Sequence, residues 1–217
     1  MIVLLPPSEG KTAPAAGEPV NLGSLAFAAQ LGEKREQLLD ALDPQLRKAP
    51  AAPAAEVYTG VLFKRLELPQ LPAKARRRVL IASALWGVVR PDDRIPYYKV
   101  PPKEKPKGIG PLAKFWRPAL AEALPDKEGE LIVDMRSGAY STMWKPKRAT
   151  LLPVRAFGEY NGERKVVSHM AKAVRGDVAR ALLEAKKAPN GPAGAAAIAK
   201  AADFTVELND GNLDVIV

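Results

Sequence analysis

The side chains able to do chemistry gather in four clusters, and each cluster follows a stretch that reads as a strand. Ser8 and Lys11 lie in the polar loop 6–12, directly after the apolar residues 1–5. Arg90, Asp92, Asp93, Arg94, Tyr97 and Tyr98 crowd the stretch that follows residues 79–84. Asp134, Arg136, Ser137 and Tyr140 close the run 131–135, with Trp144-Lys145-Pro146-Lys147-Arg148 behind them. Lys172 and Arg175 come after residues 164–168. Ammonium and guanidinium groups hold anions by charge-assisted hydrogen bonds, while hydroxyls, carboxylates and amines beside them carry protons or attack carbon and phosphorus.

Two functions from different classes fit those residue types. In the first, Lys11, Arg90, Arg136, Lys145, Lys172 and Arg175 hold DNA phosphates, and Tyr97, Tyr98, Trp116 or Trp144 stacks on unpaired bases. In the second, the chain is an enzyme acting on an anionic small molecule or nucleotide, with Ser8, Lys11, Tyr58, Asp93, Ser137 and Tyr140 as catalytic candidates. Geometry separates them. Phosphate binding wants charges strung along a groove, whereas catalysis wants a closed pocket of convergent groups. Each residue also has a plainer reading. The loop at Lys11 lacks the GxxxxGK[ST] spacing of a phosphate-binding loop and reads equally as a surface turn. Tyr58 can simply pack, its hydroxyl satisfied by backbone.

The elements that must position these groups follow from hydrophobic pattern. Residues 1–5, 79–84, 131–135, 150–157 and 164–168 read as strands of one mixed sheet, the first three joined by long crossovers suited to parallel pairing. The last two form a hairpin turning at Asn161-Gly162. Helical spacing marks residues 24–48, broken at Pro44, then 56–66, a helix reaching about Leu124, and 169–187. A short Ala-rich helix and a hairpin turning at Asp210-Gly211 end the chain. The stretch 81–98 is the centre of this scheme: a strand that breaks at Gly87 into a charged loop stiffened by Pro91 and Pro96. Residues 100–108 are Lys- and Pro-rich and predict an extended segment. If Lys11, Arg90, Arg136, Lys172 and Arg175 each follow a strand, ligands should settle beyond the carboxyl ends of the parallel ones. Arg90, Arg136, Lys172 and Arg175 are therefore expected to line one cleft with Tyr97 or Tyr140. Replacing Arg136 or Arg175 by Ala should then abolish binding and leave the fold intact or slightly more stable.

Composition bounds the rest. The 217 residues, 47% hydrophobic, suffice for one domain spanning 1–217. A net charge of +9 favours polyanionic partners. The absence of cysteine excludes disulfides and thiolate chemistry. With His169 as the only histidine, a metal site is not expected, and that residue reads as a cap or a packing group. No cofactor is implied. No apolar run is long enough to span a membrane, and the first residues lack a signal peptide's basic region, so a cytoplasmic location is expected.

LLPPSEGKT, Tyr58-Thr59-Gly60, SALWGVVRPDDRIPYY, DMRSGAYSTMW and HMAKAVRG, in this order, resemble the YaaA family of bacterial peroxide-stress proteins. The resemblance implies a single α/β domain of unusual topology, with a mixed sheet wrapped by helices. It also implies a positively charged cleft, DNA binding through a helix-hairpin-helix-like element, and a role in peroxide stress associated with iron. Family motifs fall on Ser8, Lys11, Tyr58, Gly60, Ser83, Gly87, Arg90, Pro91, Asp93, Tyr97, Trp116, Ser137, Tyr140, Lys145, Lys172, Arg175 and Gly176. The hairpin would be Gly108-Ile109-Gly110, whose glycines bring backbone N–H groups near a phosphate. A glycine turn that merely starts a helix is the other reading, because the preceding segment is rich in proline.

Overall fold

The computed structural model describes residues 1–160, 163–167 and 170–217. Its strands are β1 (Ile2–Leu5), β2 (Ala51–Pro53), β3 (Val79–Ser83), β4 (Gly87–Val89), β5 (Arg94–Pro96), β6 (Leu131–Asp134), β7 (Thr150–Tyr160), β8 (Glu163–Val166), β9 (Thr205–Asn209) and β10 (Asn212–Ile216). Its α-helices are α1 (Ala28–Leu42), α2 (Ala54–Val57), α3 (Val61–Leu66), α4 (Ala73–Arg76), α5 (Leu112–Ala123), α6 (Gly138–Ser141), α7 (Ala171–Glu184) and α8 (Pro192–Ala201).

A strand covered on both faces must be apolar on both, so it reads as an unbroken hydrophobic run. Val3, Leu4 and Leu5 of β1 and all of β3 are buried, and β6 is buried throughout. These runs sit side by side. β1 pairs in parallel with β3, Val3 opposite Val79, and with β6, Ile2 opposite Ile132. The eight-stranded sheet runs β4-β3-β1-β6-β7-β10-β9, with β8 pairing β7. β7 is shared along its length: residues 150–153 pair β6, 154–157 pair β10 in parallel, and 157–160 pair β8 in antiparallel. The expected strands therefore do share one mixed sheet in a single α/β domain. No helix among the described residues is long and apolar enough to cross a membrane.

Close helix packing brings the later helices to the sheet. Gly176 of α7 lies so near α3 that a Cβ there would stand 2.5 Å from the Leu62 carbonyl oxygen and 2.8 Å from Arg65 Cβ. Gly87 has φ +71, and a Cβ on it would stand 2.8 Å from the Trp116 ring. The indole N–H of that Trp116 donates to the Ala84 carbonyl at 2.8 Å, locking α5 onto the turn between β3 and β4.

Several expectations are corrected. Gly87 does not open a loop; it starts β4, which folds back antiparallel on β3 with Ser83 opposite Gly87. Residues 56–66 are not one helix. Thr59 N–H donates to the Gly10 carbonyl at 3.0 Å, and Tyr58 bridges Lys11, so the chain leaves helical geometry between α2 and α3. The segment after β5 forms turns, with Glu104 N–H on the Pro101 carbonyl and Ile109 N–H on the Pro106 carbonyl, and is not extended. The first helix that a helix-hairpin-helix would need is absent there; Gly108 and Gly110, at φ +80 and +81, form a glycine turn that leads into α5. The Asn161-Gly162 turn, Ser168 and His169 lie outside the described residues, whereas the terminal hairpin turns at Asp210-Gly211 as its sequence predicts.

Candidate functional site

The cleft begins where β1 ends. The loop after β1 is fastened to the stretch between α2 and α3 by Thr12 N–H on the Val57 carbonyl at 2.9 Å and by Gly60 N–H on Ser8 Oγ at 2.7 Å. A Cβ on Gly60 would stand 2.2 Å from Ser8 Oγ, so the hydroxyl would have to turn away and give up its bond to the Gly60 N–H. Ser8 is thus buried, its oxygen already engaged.

Lys11 sits in this knot. Its Nζ donates to the Ser8 carbonyl at 2.6 Å and lies 4.6 Å from the centre of the Tyr98 ring and 5.8 Å from that of Tyr58. No carboxylate forms an ion pair with it among the described residues. Burial pulls its pKa below the usual lysine range, and Glu9 offsets part of that effect.

Beneath it runs a chain of hydroxyls. Tyr58 and Tyr98 share a hydrogen bond of 2.7 Å, Tyr98 and Ser83 share another of 2.7 Å, and Ser83 Oγ accepts the Trp86 N–H at 3.0 Å. Three hydroxyls joined by two bonds leave one O–H without an acceptor inside the chain. Burial pushes Tyr98 up to about 12 and Tyr58 well above the ordinary phenol range, so both stay protonated. Tyr140 is raised too, by burial and then by the nearness of Tyr98 and Glu9, and its hydroxyl has no hydrogen-bond partner among the described residues.

The third wall is α7. Its approach to α3 over Gly176 sets Lys172 and Arg175 at the cleft. Arg175 Nε donates to the Val154 carbonyl at 3.0 Å, which leaves the outer guanidinium nitrogens for a ligand. Burial lowers its pKa and Asp134 partly restores it. Lys172 is 56% exposed and only 3.4 Å from Glu9, a loose surface contact that an incoming anion can displace. The cleft measures about 630 Å³. Ser8, Lys11, Ser137, Tyr140, Lys172 and Arg175 all line it, together with Lys99, one carboxylate, Glu9, and an apolar wall that includes Val61, Phe63 and Pro101.

Other expected members are elsewhere. Arg90 follows β4, and because β4 runs against β3 it emerges at the amino end of the parallel strands. There its guanidinium donates to the Arg77 carbonyl at 2.7 Å. Arg136 stands at the right end of β6 but turns inward: Nε and one terminal nitrogen grip both Asp134 oxygens at 2.9 Å, and it also bonds the Tyr140 and Trp144 carbonyls. It shapes the floor beside Tyr140 and is not free to meet a ligand. Asp93 caps its own turn, accepting the Arg90 and Ala26 N–H groups, and burial raises its pKa. Tyr97 is exposed and Lys145 lies on the loop before β7; neither lines the cleft. Trp116, Trp144 and Tyr98 are buried and cannot stack on a base, and Gly108 and Gly110 lie outside the cleft lining. Sequence reasoning missed Glu9, Lys99 and the wall formed by α3. Val61, exposed at the start of α3 beside Gly60, was the available signal.

Among the described residues no cluster of His, Asp or Glu is placed to hold a metal ion. Fold and site together define a single-domain α/β protein whose cleft lies at the carboxyl ends of parallel strands. The chain belongs to the YaaA family: the family model described as Peroxide stress protein YaaA matches residues 20–191. It is 41% identical over 227 residues to a UPF0246 protein of Streptomyces coelicolor, covering 89% of this chain and 86% of that relative. A UPF0246 protein of Corynebacterium efficiens is 36% identical over 245 residues, covering 100% of this chain and 98% of the relative.

Proposed function

We propose that this peroxide-stress-family chain binds DNA, and that the cleft takes one phosphate-bearing nucleotide unit of a distorted or unpaired strand. The observation that carries this reading is the pairing of Arg175 and Lys172 with an apolar wall in which Val61 is 49% exposed. Cations alone would suit any anion; an apolar face beside them suits a ring joined to a phosphate. The volume, about 630 Å³, fits a single nucleotide and excludes a duplex, so a duplex must offer an unstacked base. Lys99 lines the cleft, and the Lys-rich segment that follows it in sequence supplies further cations for a continuing backbone.

The test is fluorescence anisotropy of a labelled single strand and of a duplex with a bulge, across a salt series. Affinity should fall with salt at a slope near −0.9 per phosphate contact on the duplex, and Arg175→Ala should weaken binding. Affinity indifferent to salt, or equal for Arg175→Ala and wild type, overturns the reading. The alternative of an enzyme acting on an anionic small molecule in the same cleft is favoured by one observation: Lys11 lies half-buried beside protonated tyrosines and, among the described residues, forms no ion pair with a carboxylate.

A further inference from the structure

A purely phosphate-binding lysine is best left solvated and mobile, with its charge intact. Lys11 is the opposite. Its amine is fixed by one bond to the Ser8 carbonyl and backed by the Tyr98 ring, and it lines the same cleft as Lys172 and Arg175. Desolvation favours the free amine, and Glu9 offsets only part of that effect. Proton donors surround it. Tyr140 lines the cleft with its hydroxyl unpaired among the described residues, and the chain Ser83, Tyr98 and Tyr58 holds one spare O–H.

A desolvated amine, an anion grip and a neutral hydroxyl are the parts that imine formation needs. We propose that Lys11 is a nucleophile that condenses with the aldehyde of a phosphate-bearing ligand. The inference rests on the reading that Arg175 and Lys172 hold that ligand's phosphate. The Lys11 nitrogen lone pair forms a bond to the carbonyl carbon while the carbonyl oxygen takes a proton from Tyr140. The nitrogen then returns a proton to the Tyr140 oxygen, which passes it to the carbinolamine hydroxyl; water leaves as the nitrogen lone pair forms a carbon–nitrogen double bond, and the remaining nitrogen proton goes back to Tyr140. One water is released per imine and no oxidation state changes, so no further reactant is required. Phosphorylated aldehydes come from two sources: a free sugar phosphate in its open-chain form, or the ring-opened deoxyribose of a DNA site that has lost its base.

The probe is pyridoxal phosphate, added to the full chain, followed by borohydride reduction and peptide mass mapping. The label should fall on Lys11 ahead of every other lysine, should be suppressed by inorganic phosphate, and should be lost in Lys11→Arg, which keeps the charge. Label spread over exposed lysines, or concentrated on Lys172, overturns the inference. Phosphate-induced rise of the melting temperature is measured in parallel. If phosphate stabilises wild type but not Arg175→Ala while Lys11 stays unlabelled, the anion reading stands and the imine fails. If Lys11 is labelled without any effect of phosphate, the anion reading fails instead. Borohydride capture of an oligonucleotide with one abasic site, set against capture of glyceraldehyde 3-phosphate, assigns the source of the aldehyde.

Discussion

Arg136→Ala and Arg175→Ala should separate sharply, although both remove a guanidinium at the carboxyl end of the sheet. Arg136 and Asp134 side chains are 2% and 5% exposed and joined by two bonds of 2.9 Å. Deleting Arg136 leaves the Asp134 carboxylate with the Arg175 charge nearby and the backbone N–H of position 136, and it removes the side-chain donor of the Trp144 carbonyl and one of the donors of the Tyr140 carbonyl, which keeps the Met143 N–H. Breaking a buried pair in this way costs about 3–5 kcal/mol. For a chain of this size about 2–4 °C of Tm accompanies each kcal/mol, so the drop should be about 6–20 °C. Arg175 loses a single bond to the Val154 carbonyl, about 0.5–1.5 kcal/mol, and gains from relief of desolvation. Its Tm should stay within about 6 °C of wild type. Differential scanning fluorimetry, with and without phosphate, reads both effects. The reasoning is refuted if Arg136→Ala melts with wild type and alone loses the response to phosphate.

Three further outcomes follow from single contacts. Folded Lys11 releases its proton more readily than the unfolded chain does, so between the lowered pKa and the ordinary lysine value the unfolded state binds more protons and stability rises with pH. Relative to Lys11→Met, wild type should therefore gain between neutral pH and pH of about 10, and urea unfolding in which the difference moves the other way rejects the desolvation account. Gly176→Ala should lower Tm even though Ala gains about 1 kcal/mol in a helix, because separating α7 from α3 costs about 1–3 kcal/mol; a higher Tm would show that the helices part freely. Gly87→Ala meets both a positive φ and the Trp116 ring, so it should cost at least about 1–3 kcal/mol in chemical denaturation, and an unchanged midpoint would mean that β4 and α5 shift together.

The parallel core was legible because strands buried on both faces must be written as unbroken apolar runs, as Ile2–Leu5 and Val79–Ser83 are. Lys172 and Arg175 were legible because they stand off the stripe of Val174, Val178 and Leu182, although Met170, placed on that stripe by spacing, is exposed. Arg90 was misplaced for want of a turn signal: the reversal between β3 and β4 is made by Ala84-Leu85-Trp86, apolar residues that read as more strand. Asp134 and Arg136 are two apart at a strand end, a spacing that puts both on one side, and that period was the unread sign of their pairing. Arg35 shows the same oversight on a helix. It shares the face of Leu31, Leu38 and Leu39, and it is fully buried while donating to the Trp86, Ala26 and Val88 carbonyls. Burial lowers its pKa to about 10, so a charge was placed in the core where pattern alone would assign a leucine.

The pairing of Ile2 with Ile132 also sets a timetable for synthesis. At about 5–20 residues per second, the roughly 130 residues between them take on the order of 6–26 s to emerge from a ribosome. One edge of β1 is covered earlier, when Val79–Ser83 arrives, but the other waits for Leu131–Asp134. An apolar strand with an open edge is a template for the wrong partner. The nascent chain therefore carries that edge unpaired for the whole interval, and the cleft comes into being only after α7, which carries its last wall, has left the tunnel.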